Sequence, residues 1–160
     1  MGNIKDGFSY MQTVKVIRKI DDIPQLKQEL IAASEGKSHQ AMSKYSLLLA
    51  EHILKITEVE RSEAIEECFA INQKWQSGEA KFQDARQVAF ATNRLAREEK
   101  DPLTEKVLRA MGQVAATPHV RWHALVAAEY AVKIINLMYP GDFEKVAEER
   151  TLQIELIKSV

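Results

Sequence analysis

The side chains in this 160-residue chain best suited to chemistry are four histidines and one cysteine. His119 and His123 stand four apart, so a helix would turn both imidazoles to one face, where two ring nitrogens could meet a metal ion. The run reads His119-Val120-Arg121-Trp122-His123. No glutamate follows the first histidine, so the zinc-protease helix with its general base is absent. A metal site usually needs a third donor. His52, His39, Glu51 and Glu129 are available, and nothing in their spacing brings them near. His52 itself falls in an apolar stripe with Ala41, Tyr45, Leu48, Leu49, Ile53 and Ile56. There the plain reading is a core histidine satisfied by a hydrogen bond; the sharper one is a ligand or a proton-transfer group. Cys68 shares a helical face with Ile65, Asn72 and Trp75 and reads as a small core residue. No serine sits in a G-x-S-x-G turn, and no glycine-rich loop is built for phosphates or a nucleotide cofactor. The expectation is a non-enzyme with no cofactor, and His52, His119 and His123 as weak metal candidates.

Two other groups of residues suit binding better than catalysis. Phe90 points to the side of its helix that carries Arg86, Arg94 and Arg97, and an aromatic among arginines has the composition of an interface anchor. The alternative is burial under another helix or under the N-terminal residues. Glu60, Glu63, Glu66 and Glu67 crowd the start of another helix. The helix dipole favours acid at that end, and a patch for a basic partner is the other reading. Phe90, Arg94, Arg97, Glu60, Glu63 and Glu67 are therefore the partner-binding candidates. Glu148-Glu149 reads as part of a solvated helix face.

These residues need helices to hold them. The spacing predicts an apolar helix from about 118 to 139, wetted only by Arg121, Glu129, Lys133, Asn136 and the two histidines, and such a helix is enclosed by its neighbours. Asp21-Asp22-Ile23-Pro24 starts a short helix that Gly36 ends. Ser38 caps one running to about Ile56. A third covers about Val59 to Ser77 and stops at Gly78. A fourth runs from about Ala80 to Glu98, with Ala85, Val88, Ala89, Thr92, Leu95 and Ala96 as a narrow face of small residues. Asp101-Pro102 starts a fifth, bearing Leu103, Val107, Leu108, Met111 and Val114. Thr117-Pro118 caps the apolar helix, or Pro118 kinks one long helix there. Asp142 starts the last, with Phe143, Val146, Ala147, Ile154 and Ile157 inward. Residues 1–22 read as an extended arm or a poor helix, with Thr13 to Val16 alternating like a short strand. The fold expected is all-α, an antiparallel bundle of six or seven helices in one domain around the 118–139 helix.

The totals narrow the classes further. The net charge is −1, from 22 basic and 23 acidic residues, so no overall field attracts nucleic acid. With one cysteine no intrachain disulfide forms, which fits a reducing cytoplasm. No signal peptide is read at the N-terminus. No uncharged apolar stretch is long enough for a membrane span.

From about Tyr45 to Tyr139 the chain resembles the immunity proteins of the Imm5-like family. The matching pieces are Ala50-Glu51-His52-Ile53-Leu54, Trp75-Gln76-Ser77-Gly78-Glu79, Ala85-Arg86, Ala89-Phe90-Ala91 and Ala96-Arg97. They continue in Ala116-Thr117-Pro118-His119-Val120, His123-Ala124, Ala127-Ala128 and Tyr130-Ala131. Each piece is mostly common helix residues, so their order and spacing carry the likeness. Pro118 stands where the family pattern more often has alanine. The resemblance implies an all-helical bacterial cytoplasmic protein that binds and neutralises a cognate protein toxin. Two other readings stay open on the residues alone: a helical metalloprotein using the histidines, and a helical regulator or scaffold that self-associates as a homo-oligomer.

Overall fold

The computed structural model describes residues 17–160. The strand-like run Thr13 to Val16 lies outside them. Seven helices and no strand are present among the described residues: α1 Pro24–Ser34, α2 His39–Thr57, α3 Glu63–Gln76, α4 Phe82–Glu98, α5 Pro102–Ala116, α6 His123–Met138 and α7 Phe143–Lys158. They pack as a helical bundle. Most of α6 is buried, from Ala124 to Ile135 with Tyr130 and Lys133 as the breaks. It shares the centre with α5, which packs on α2, α3, α4 and α6. Val107, Ala110, Met111, Val114 and Ala115 of α5 are fully enclosed. Each large aliphatic side chain sealed this way contributes about 1.5–3 kcal/mol.

The caps at Ser38, Asp101 and Asp142 fall where the sequence puts them, and Ser62 adds one not expected from the sequence. Ser38, Ser62, Asp101 and Asp142 each accept a backbone N–H from the first turn of their helix, at about 1 kcal/mol each. Pro24 and Pro102 sit at first-turn positions, where a missing N–H costs nothing. Gly78 takes the left-handed conformation (φ 80°) just past α3, which L side chains adopt only with strain.

Several boundaries and faces differ from expectation. The helix expected from 118 begins at His123, and residues 117–122 are mostly turns. Thr117 caps α5 instead, its hydroxyl donating to the Gln113 carbonyl at 2.9 Å. Arg121 is drawn across to α1, where Nη2 donates to the carbonyls of Ser34 (2.6 Å) and Lys37 (2.8 Å). A cation at a helix C-terminus is favourable there. The third helix starts at Glu63, because Glu58 ends α2 in the left-handed conformation and Ser62 caps α3. Leu48, Leu95 and Phe143, expected inside, are exposed.

The small face of α4 does meet a close neighbour. A Cβ on Gly112 of α5 would stand 2.7 Å from Asn93 Oδ1 and 3.7 Å from the Ala89 carbonyl, so glycine permits the approach. Asn72 ties α3 to α2 and α5, donating to Ser46 Oγ (3.0 Å) and to the Val114 carbonyl (2.9 Å). Cys68 is fully buried beside Thr92, Sγ to Oγ1 3.1 Å. Burial pushes its thiol up to about 11, which keeps the reactive thiolate scarce. Folded protein at pH 8 is therefore expected to resist a disulfide reagent that modifies the thiol at once in urea. Equal rates in the two states would contradict the buried placement.

Candidate functional site

The histidines fall into two separate places. His52 faces α7, and its Nε2 bonds Glu149 Oε1 at 2.7 Å. Glu149 was expected in solvent but is buried. Its second oxygen accepts from Gln153 Nε2 at 2.8 Å, and Gln153 Oε1 accepts from Arg150 Nη1 at 3.0 Å. Arg150 is 1 % exposed. It grips Asp22 with two bonds, Nε to Oδ1 at 3.0 Å and Nη2 to Oδ2 at 2.6 Å. Glu129 is buried too, 3.6 Å from Arg150 Nη2 and in an ion pair with Lys27. It therefore gives α6 no wet side.

This network also holds the N-terminal segment. Residues 17–23 run non-helically across α6 and α7. Asn136 exchanges two bonds with the Asp21 backbone (2.7 and 3.0 Å), and Lys133 Nζ donates to the Lys19 carbonyl at 2.8 Å. Ile20 and Ile23 cover Val132, Ile135 and Val146. Burial alone would raise the Asp22 carboxyl, but the bonds and charge of Arg150 outweigh it and hold the group below its ordinary range. The sequence carried a signal for this network. Val146, Arg150, Gln153 and Ile157 recur at helical spacing, so two polar residues occupy an apolar stripe.

His39, His119 and His123 gather around the α5–α6 turn. His39 Nε2 donates to the Thr117 carbonyl at 2.7 Å, and its ring lies 4.6 Å from that of Trp75. His119 stacks on Phe82 at 5.5 Å and lies 6.3 Å from His123. His123 stacks on Trp122 at 4.8 Å, with Nδ1 2.7 Å from Gln113 Oε1. Burial lowers the proton affinity of His123 to about 4, with His119 adding to it. Burial lowers His119 too, followed by the charges of Arg86 and His39. Both rings are thus held toward the neutral form. They share no helical face, since His119 lies in the turn. His52 adjoins the last turn of α6, beside Met138 and Tyr139, roughly 20 Å from His123 along a rise of ~1.5 Å per residue. Among the described residues no three His, Cys, Asp or Glu side chains are grouped to hold a metal ion.

The exposed face of α4 is divided. One flank carries Phe82 (43 % exposed), Arg86, Phe90 (53 % exposed), Arg94 and Arg97. Arg86 lies over the Phe90 ring at 5.4 Å. None of the three arginines has an ion-pair partner among the described residues, and none of those residues buries Phe90. The other flank turns Leu95 and Glu98 toward α3. There Val59, Ile65, Leu95 and Leu108 line an open groove of about 690 Å³, edged by Glu60, Glu98 and Glu99. Arg61 bridges Glu51 and Glu66 and covers Phe69. Glu60, on the α2–α3 loop, and Glu63 and Glu67, one turn apart on α3, have no such partner among the described residues.

A protein-family model described as "Imm-5 like putative immunity protein" matches residues 32–160. No curated protein and no solved structure matches the chain.

Proposed function

The chain belongs to the Imm5-like immunity protein family, and from that premise we propose that it binds a protein toxin in the bacterial cytoplasm and neutralises it by contact, without catalysing a reaction. The observation that carries the contact reading is the Phe82–Phe90 flank of α4. It holds two exposed aromatics among three arginines that have no ion-pair partner among the described residues, all within the matched stretch. Aromatic and arginine side chains supply most of the strong anchors in protein interfaces. The interior supports the same reading from the other side. His52 is bonded to Glu149, and Arg150 to Gln153 and to Asp22 of the N-terminal segment, and the rings at the α5–α6 turn stack on their neighbours.

Co-expression with the toxin encoded beside this gene is the test. The chain is expected to restore growth. The double change Phe90→Asp with Arg94→Glu is expected to weaken toxin binding by about 2–4 kcal/mol, roughly 30- to 1,000-fold, as loss of an anchor does. Both positions are exposed, so the urea midpoint should stay put. Unchanged killing by every neighbouring toxin would remove the immunity reading. Protection and affinity that survive the double change would move the contact elsewhere.

A further inference from the structure

We propose that the groove between α3 and α4 seats a second contact: a cationic, amphipathic helical segment of the partner, apolar side down. This rests on the immunity reading and deepens it by stating the partner's chemistry. Its apolar lining is Val59 and Ile65 from the α3 side and Leu95 and Leu108 from α4 and α5, with Ser62 and Thr104 as the uncharged polar members. Leu95 is 43 % exposed, although it continues the inward face of α4. None of the described residues covers it fully, and an apolar helix face set in a groove is a recurring way to cover such a side chain. The volume accommodates several apolar side chains.

Charge selects the occupant. Glu60 and Glu98 stand on the edges with no ion-pair partner among the described residues. Glu99 accepts the backbone N–H groups of Lys100 and Asp101 at 3.0 and 3.1 Å. Lys100 is the single cation in the lining. The two helix N-termini that open here are already served by their own chain. Ser62 caps α3, with Glu63 in its first turn, and Asp101 caps α5, with Glu105 in its first turn. An anionic occupant would meet carboxylates and find no free N-terminus, whereas a lysine-rich one meets complementary charge. A small-molecule ligand fits less well, because the groove is open and would leave much of a small ligand in water.

The probe is a synthetic helix of roughly 14 residues, ~20 Å long, with leucines on one face and lysines on the other. Its control has glutamate for every lysine. Titration into the full chain is followed by methyl NMR. The lysine peptide is expected to shift the Leu95, Leu108 and Ile65 methyls and to bind at least tenfold more tightly than the glutamate peptide. Glu60→Lys with Glu98→Lys should weaken it about tenfold or more, as should a rise in salt from about 0.05 to 0.5 M. Equal binding of the two peptides, no binding, or shifts confined to the arginine flank would overturn the proposal. So would groove-methyl shifts that depend on protein concentration alone, which would make a second copy of the chain the occupant. The growth assay separates the two ideas. A wild-type chain that fails to protect removes the immunity reading and leaves the groove to the peptide result. Protection that survives Glu60→Lys with Glu98→Lys removes the groove from toxin binding and leaves immunity standing.

Discussion

Replacing Arg150 by methionine is expected to cost the fold about 3–5 kcal/mol, the range found when one member of a buried ion pair is removed. The guanidinium touches Asp22, Gln153 and Glu129 together. Methionine fills much of the volume but leaves Asp22 without its fork of donors. It also leaves Glu129 with Lys27 alone and Gln153 Oε1 without its bond. Each buried polar group stripped of its partner costs the desolvation it had recovered. Arg150→Lys restores a charge but not the two-pronged grip, so it should recover only part of the loss. Urea unfolding at pH 7 reads the effect, and a loss under about 1 kcal/mol would mean that water replaces the guanidinium. Amide exchange supplies a second readout. Residues 17–23 should lose protection first, because Asp22 is their anchor to α7.

Acid is expected to weaken the protein through His123. Its folded-state proton affinity lies at about 4, against roughly 6.5 for an unfolded chain. Between those values the unfolded chain binds the proton and the folded one does not, so stability rises with pH there. The contribution is complete above the unfolded value and is lost as pH falls from about 6.5 to about 4. The difference corresponds to about 3 kcal/mol. Burial leads. The His119 charge adds to it, and the N-terminus of α6, which begins at His123, is no place for a cation. His119, lowered by burial, acts in the same direction. Asp22 acts lower down. Its carboxyl is depressed, so its stabilisation is full above the ordinary value of about 4 and fades below it. His123→Gln keeps an amide donor near Gln113 and does not titrate. Its stability should change about 3 kcal/mol less than wild type between pH 7 and pH 4. Parallel curves for the two proteins would show that the imidazole is not the group responsible.

The helices were largely legible in advance because their signals are local. A capping serine or aspartate, a first-turn proline and a glycine past the last turn act within a few residues of themselves. Ser38, Asp101, Pro102, Asp142 and Gly78 all behave as read. Burial of the Ala124–Ile135 segment followed from its composition. Local signals failed where a distant partner competed. Residues 118–122 have helical spacing, yet Arg121 serves the carbonyl end of α1 and the helix waits until His123.

An all-helical bundle, most of its caps, the burial of Cys68 and the likeness to a family could be read from the chain alone. It also gave His52 as a core histidine with a partner, without saying which. It took the packed helices to show that the partner is Glu149, 97 positions away, and that Glu129, Glu149 and Arg150 lie inside. That packing also split the histidines between two ends of α6 and left Phe90 and Leu95 without cover among the described residues. The physical reason is range. Helix periodicity and capping are settled by neighbours in the chain, whereas a charged side chain can be buried only when opposite charges arrive from other elements, and spacing along one helix says nothing about those.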